Sequence, residues 1–228
     1  MKERFTRLGR ELKSSLSFAG DLILLNLLCF LCCLPIVTVG ASIAACYSGV
    51  FRLVRKKETG LPIQPFFRDF AAAFKTATAG WLCILLSFVV LAGDAWFAVV
   101  YSEPDNTFFL LFAIILSVII LLAALWFFPL VSRFENKLGG HIKNAFLMAF
   151  AKFPKTLAAL LIWGVFLAVP VFLFNVFVYF GWVWLLFGIS LPAYWTSKLL
   201  RNELQLTVLN DDDEPAEASG EARNTGNE

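Results

Sequence analysis

Residues 108–130, FFLLFAIILSVIILLAALWFFPL, run for 23 residues without an ionisable side chain. About 20 apolar residues in a helix span the ~30 Å hydrocarbon core of a bilayer. A lipid-embedded backbone must satisfy its own hydrogen bonds, as a helix does. The run therefore reads as a transmembrane helix, and residues 76–101 read the same way. Residues 156–197 form a 42-residue apolar run, about 63 Å of helix and close to two crossings. Asn175 and Gly181 bracket its expected turn, and Tyr101, Tyr179, Trp182 and Trp184 fit an outer aromatic belt. Hydrophobic residues make up 59% of the chain and charged ones 16%, with a mean hydropathy of +0.76. Typical soluble domains hold about 45–50% and about 25%. A soluble globule, a disordered chain and a disulfide scaffold are excluded together. The expected fold is an all-α, polytopic transmembrane helix bundle with four clear spans plus an N-terminal Pro-broken hairpin or kinked span.

The first apolar segment, 22–51, is the ambiguous one. Its 30 residues make about 45 Å of helix, long for one crossing and short for two. Pro35 splits it, because proline lacks an N–H and disfavours helix at the residue before it. Thr38 and Gly40 follow in an extended-looking PIVTVG. The expectation is a helical hairpin or re-entrant loop with its tip near Pro35–Gly40. The alternative is one long kinked span with the N-terminus outside. Irregular backbone at membrane depth must be buried in protein, so a hairpin belongs inside the bundle. Gly40, Ala44 and Ser48 form one small-residue ridge, and Ala41, Ala45 and Gly49 form another. That spacing lets helices approach closely in lipid.

The 19 Lys and Arg residues gather within residues 2–13, 52–75 and 133–155 and at the C-terminal end, while linkers 102–107 and 175–181 hold none. The positive-inside rule puts the basic segments and the C-terminus in the cytoplasm and both linkers outside, in a multi-pass protein of the cell membrane. The hairpin reading gathers all 19 bases on one side; a single crossing strands five outside. Three regions are expected. Residues 1–20 are an amphipathic cytoplasmic segment, with Phe5, Leu8, Leu12, Leu16 and Ala19 on one stripe suited to the inner leaflet. Residues 21–205 are the transmembrane helical domain. Residues 206–228 are an acidic disordered cytoplasmic tail, with seven acids and one base after residue 209 and too little apolar surface to offset ordering.

Chemistry-bearing residues are sparse. Cys29, Cys32, Cys33, Cys46 and Cys83 lie in apolar stretches and read as small apolar residues, not as a disulfide framework. Cys29, Cys32 and Cys33 share a helical face without a His or carboxylate, so no metal or cofactor is expected. His141 is the single histidine, and no HExxH, GxSxG or GxxxxGK[ST] motif is present. No catalytic residue is assigned, and an enzyme is not expected. Leu91-Ala92-Gly93-Asp94 is similar to the aspartyl intramembrane protease motif, but Leu91 stands where that motif needs Gly. Intramembrane ionisable groups are functional candidates by default. Asp94, with Asn26 and Asn175, would line the path of a small oligomeric transporter. The densest polar cluster is Arg133, Glu135, Asn136, Lys137, His141, Lys143 and Asn144, facing Arg52, Arg68 and Asp69. Arg133–Glu135 and Arg68–Asp69 are the expected pairs across the inner face.

A weak repeat links two basic segments. Phe70, Phe74, Lys75 and Thr76 precede one span, and Phe146, Phe150, Lys152 and Thr156 precede another. Both are expected to lie along the interface and then turn inward. The strings 25–47 (LNLLCFLCCLPIVTVGASIAACY), 65–78 (PFFRDFAAAFKTAT) and 128–149 (FPLVSRFENKLGGHIKNAFLMA) resemble the YesL family of bacterial integral membrane proteins, a domain of unknown function. The resemblance rests on Asn26, Pro35, Thr38, Gly40, Phe67, Phe70, Arg133, Phe134, Glu135, Asn144 and Ala145. It covers roughly residues 5–205. It implies a non-enzymatic accessory or scaffold role in carbohydrate uptake, with a carbohydrate ABC transporter or a second copy of the chain as partner. The lipid bilayer is the surrounding medium, and no nucleic-acid partner is expected.

Overall fold

The computed structural model describes residues 2–55, 61–100, 106–172, 181 and 184–204. Every regular element among them is a helix, as apolar runs in lipid require. In chain order these are α1 (Lys2–Cys32), a 3₁₀ turn (Ile36–Thr38), α2 (Val39–Val54), α3 (Ile63–Val100), α4 (Asn106–Arg133), α5 (Leu138–Ala151), α6 (Phe153–Phe172) and α7 (Ser190–Leu199). Three helical stretches are long and apolar enough to cross a membrane: 36–54, α3 and α4. The pair α5–α6, bent by 100°, adds a fourth if counted as one span. Asn175 and the acidic tail lie outside the described residues.

The first apolar segment is a hairpin. Cys29 Sγ donates to Ser42 O at 3.5 Å, and a Cβ on Gly49 would stand 2.5 Å from Leu25 Cδ2. These contacts run antiparallel, so the two arms return to the same end of the bundle. The tip reaches Trp81, whose Nε1 donates to Ile36 O at 2.8 Å. Trp81 is 12 residues along α3 from Asp69, the ion-pair partner of Arg52 at the base of α2. That is about 18 Å, roughly half a bilayer core. The hairpin therefore turns back partway along α3. α1 itself is continuous from Lys2, so the amphipathic segment and the membrane arm are one helix.

α2 is the hub. The most apolar stretch within 36–54 is 56% buried, against 11% for that of α3 and 17% for that of α4, which turn Leu82, Leu86, Phe108, Leu111 and Ile115 outward. The small-residue ridges explain this position. At Gly40 a Cβ would meet Ala77 O at 2.4 Å and Trp81 Cβ at 2.5 Å, while the Gly49 ridge faces α1. Two close helix contacts are thus made by two faces of one short helix. Around it pack Leu22, Leu25, Cys29, Trp126 and Phe127, all nearly inaccessible.

The two segments sharing the Phe pattern differ. Phe70 to Thr76 lie within the uninterrupted α3 and do not turn, whereas α5 and α6 meet at a sharp corner. The expected elbow at 70–76 is corrected accordingly. Ala71, Ala72 and Ala73 favour helix there, while Pro154 follows the corner and cannot donate to the preceding turn. Thr156 Oγ1 reaches Ala149 O at 3.0 Å across the bend and accepts from Trp126 Nε1 at 2.8 Å.

Candidate functional site

The ends of α2, α3 and α4 meet at the basic end of the bundle and enclose a cavity of about 390 Å³. Arg52 and Arg55 come from the last turn of α2 and the residue after it. Arg68 and Asp69 come from the second turn of α3, just past Pro65. Arg133 closes α4. Cations at helix C-termini offset the partial negative charge of the terminal carbonyls, which suits Arg52 and Arg133 to their places. Ser48 adds a hydroxyl to the wall, its one proton within reach of Ala44 O at 3.2 Å and Ser132 O at 3.3 Å.

Among the described residues, four arginines thus line the cavity with one carboxylate. Arg52 Nη1 donates to Asp69 Oδ2, and Arg68 Nε lies 3.6 Å from Asp69 Oδ1. Burial, and secondarily the charge of Arg133, draws the Arg55 guanidinium below its ordinary value. Arg133 Nε donates to Leu204 O at 3.3 Å, and its guanidinium carbon lies 5.9 Å from the Phe134 ring centroid. The expected Arg68–Asp69 contact is present but long, and Arg52 is the closer partner. The expected Arg133–Glu135 pair does not form among the described residues, because Arg133 turns toward the 201–204 segment and Glu135 projects from the 134–137 loop, exposed.

A second ionic group stands beside this one. Lys155 Nζ donates to Glu203 Oε1 at 2.6 Å, and Lys152 Nζ is 4.0 Å away. Burial raises the Glu203 carboxyl, but the Lys155 hydrogen bond, a backbone N–H and the charges of Lys155 and Lys152 lower it further, so it lies below the ordinary glutamate value. This pair ties the start of α6 to the segment after α7.

The other sequence-selected residues are distributed as follows. Asn26 is fully buried and joins α1 to the break before α7. Its Nδ2 donates to Leu185 O at 2.7 Å, and its Oδ1 accepts from Ile189 N at 2.8 Å and Ser190 N at 2.9 Å. A side-chain amide supplies both donor and acceptor, which a helix end requires. Thr38 Oγ1 faces Cys32 O at 2.7 Å and Pro35 O at 2.9 Å, closing the hairpin tip. Pro35 is exposed at that tip, and Gly40 packs on α3. Phe70 is half-buried, stacked at 6.4 Å on the buried Phe66. Asp94 is exposed on α3, 13 residues or about 20 Å beyond the hairpin tip. The structure does not bring Asp94 to Asn26. Phe134 and Asn144 are exposed, and His141 is buried against Phe127.

In the sequence Arg55 reads only as a flanking base and Thr156 only as part of the Phe, base and Thr pattern, while Glu203 and Trp126 carry no mark of their roles. The Trp126–Thr156 and Lys155–Glu203 bonds span 30 and 48 residues, so no local spacing marks them. A buried Thr after a Pro-containing corner was the one available signal.

A family model described as a protein of unknown function, DUF624, matches residues 22–95, about a third of the chain. That stretch holds the hairpin, Arg52, Arg55, Arg68 and Asp69. Neither a comparison with curated proteins nor one with solved structures found a match.

Proposed function

We propose that this chain is a non-enzymatic membrane scaffold, held in the cell membrane with its basic end and C-terminus in the cytoplasm, whose arginine-lined face engages a partner. The reading takes its setting from the YesL resemblance, which implies an accessory role in carbohydrate uptake. One observation carries it. The buried amide of Asn26 is engaged by backbone, while four arginines converge on an open cavity at one end. A small oligomeric transporter is the weaker reading, because Asp94 and Asn26 are far apart along the bundle.

Detergent co-purification of the full chain from its native host, with mass spectrometry, tests the scaffold role. Capture of a carbohydrate ABC-transporter component, lost in Arg133→Glu, supports it; recovery of nothing but copies of this chain overturns it. Orientation is tested by labelling the exposed Lys137 and Lys143 in intact cells. Protection from an impermeant reagent is expected, and modification from outside would reverse the topology.

A further inference from the structure

We propose that the arginine pocket is a binding site for a phosphate-type dianion, carried either by a soluble phosphomonoester or by a lipid headgroup. The inference goes beyond the scaffold role, which needs only a basic surface. Three observations lead to it.

The first is composition. The chain contains nine arginines and ten lysines, and among the described residues the cavity wall takes four arginines and no lysine. Lysines predominate among the bases from 134 to 204, where Lys137, Lys143, Lys152, Lys155 and Lys198 stand with Arg201. A solvated positive rim requires charge alone, and either residue serves. A wall of guanidiniums instead offers planar paired donors that match the oxygens of a phosphate.

The second is imbalance. Leaving Arg55 aside, Arg52, Arg68 and Arg133 meet one carboxylate, Asp69, among the described residues of the wall, an excess of two positive charges. Such crowding in a partly desolvated cleft is unfavourable until an anion enters. A monocarboxylate neutralises one charge, whereas a phosphomonoester brings close to two.

The third is an unmet donor. Arg52 uses Nη1 on Asp69, but its Nη2 is buried without a hydrogen-bond partner. A buried charged donor left unpaired is costly, and a small rotation of the guanidinium would bring it to an anion oxygen in the cavity. The cavity, at about 390 Å³, falls within the ~300–1,000 Å³ of small-ligand sites and exceeds what a bare phosphate needs. Room remains for an organic group on the phosphate, and the site's position at the end of the spans suits access from the headgroup layer or from solution.

The test uses the purified full chain in phosphatidylcholine nanodiscs. In one arm, binding of radiolabelled sn-glycerol 3-phosphate is titrated. In the other, nanodiscs containing phosphatidic acid are examined by native mass spectrometry for lipid retained on the protein. Arg68→Gln is the principal variant, because the Arg68 side chain is 77% exposed and its loss leaves the packing intact. Arg55→Gln is the second. Saturable glycerol 3-phosphate binding, weakened roughly tenfold in each variant, assigns a soluble ligand. Retention of phosphatidic acid alone, lost in both variants, assigns a lipid headgroup. Arg68→Lys, which keeps the charge without the fork, is expected to fall between wild type and Arg68→Gln. Absence of binding in both arms, or binding that neither glutamine variant changes, overturns the proposal. A chain that captures a protein partner yet binds neither probe refutes this inference and leaves the scaffold role standing.

Discussion

Two helices in this chain are broken within apolar sequence, and the breaks are held in different ways. At the hairpin tip the freed groups are satisfied by neighbours. Cys33 N donates to Cys29 O at 2.9 Å, Thr38 N to Pro35 O at 3.0 Å, and the Thr38 hydroxyl reaches Cys32 O. At 185–190 the freed groups are satisfied by Asn26, about 160 residues away in sequence. Both solve the same problem, since unpaired backbone has no water to turn to in hydrocarbon. The local solution spreads over several residues. The remote one rests on a single amide.

That contrast predicts unequal sensitivity. Asn26→Leu should have the largest effect. It strips partners from Leu185 O, Ile189 N and Ser190 N, at about 1–3 kcal/mol per orphaned group. Thermal unfolding in detergent should show a shift of many degrees or loss of monodisperse protein. Asn26→Asp should recover part of it, because a carboxylate still accepts from Ile189 and Ser190 but cannot donate to Leu185. Equal stability of wild type and Asn26→Leu would end the clamp argument. Next comes Thr156→Val at the α5–α6 corner, which orphans the Trp126 indole N–H and Ala149 O for about 2–3 kcal/mol. Tryptophan fluorescence should report it as a shifted emission band. Thr38→Val should cost only about 1 kcal/mol, because one hydroxyl proton serves the tip and the turn's backbone bonds remain. A loss as large as that of Asn26→Leu would show that the tip, too, rests on one residue.

The smallest effect concerns Glu203. Its carboxyl lies below the ordinary glutamate value in the folded state, so its contribution is present above the unfolded value of about 4.3 and is lost as pH falls through the lower folded value. Glu203→Gln should lower stability near neutrality by under about 1 kcal/mol, since Lys155 is a third exposed. Below pH ~4 the variant and wild type should converge in unfolding midpoint. A gap that widened in acid would refute the assignment.

Much of the fold was legible because bilayer thickness imposes a length. Residues 76–101 and 108–130 could be read as spans from hydropathy alone; α3 carries 76–100 and α4 contains the second. The hairpin was legible as one of two options, since Pro35, Thr38 and Gly40 are neighbours that mark a break without saying which way the chain then runs. Antiparallel packing of Leu25 on Gly49 settled the direction. The Phe pattern misled, because Phe, base and Thr at similar spacing occur in a straight helix and at a 100° corner. What differs is Pro154 and a tryptophan from another helix. Of the polar cluster, Arg52, Arg68, Asp69 and Arg133 were placed together by charge sorting, but the pairing was not, as Arg133 bonds to Leu204 O and not to Glu135.

By itself the amino-acid order determined that the chain is helical and where its long apolar helices run, because transfer of side chains to lipid is a sum over consecutive residues. Tertiary structure alone decided that Asn26 closes a distant break, that Thr156 latches a corner, and that four arginines from three helices face one cavity. Those outcomes depend on which helix ends meet, and contacts between residues far apart in sequence leave no periodic trace in either partner.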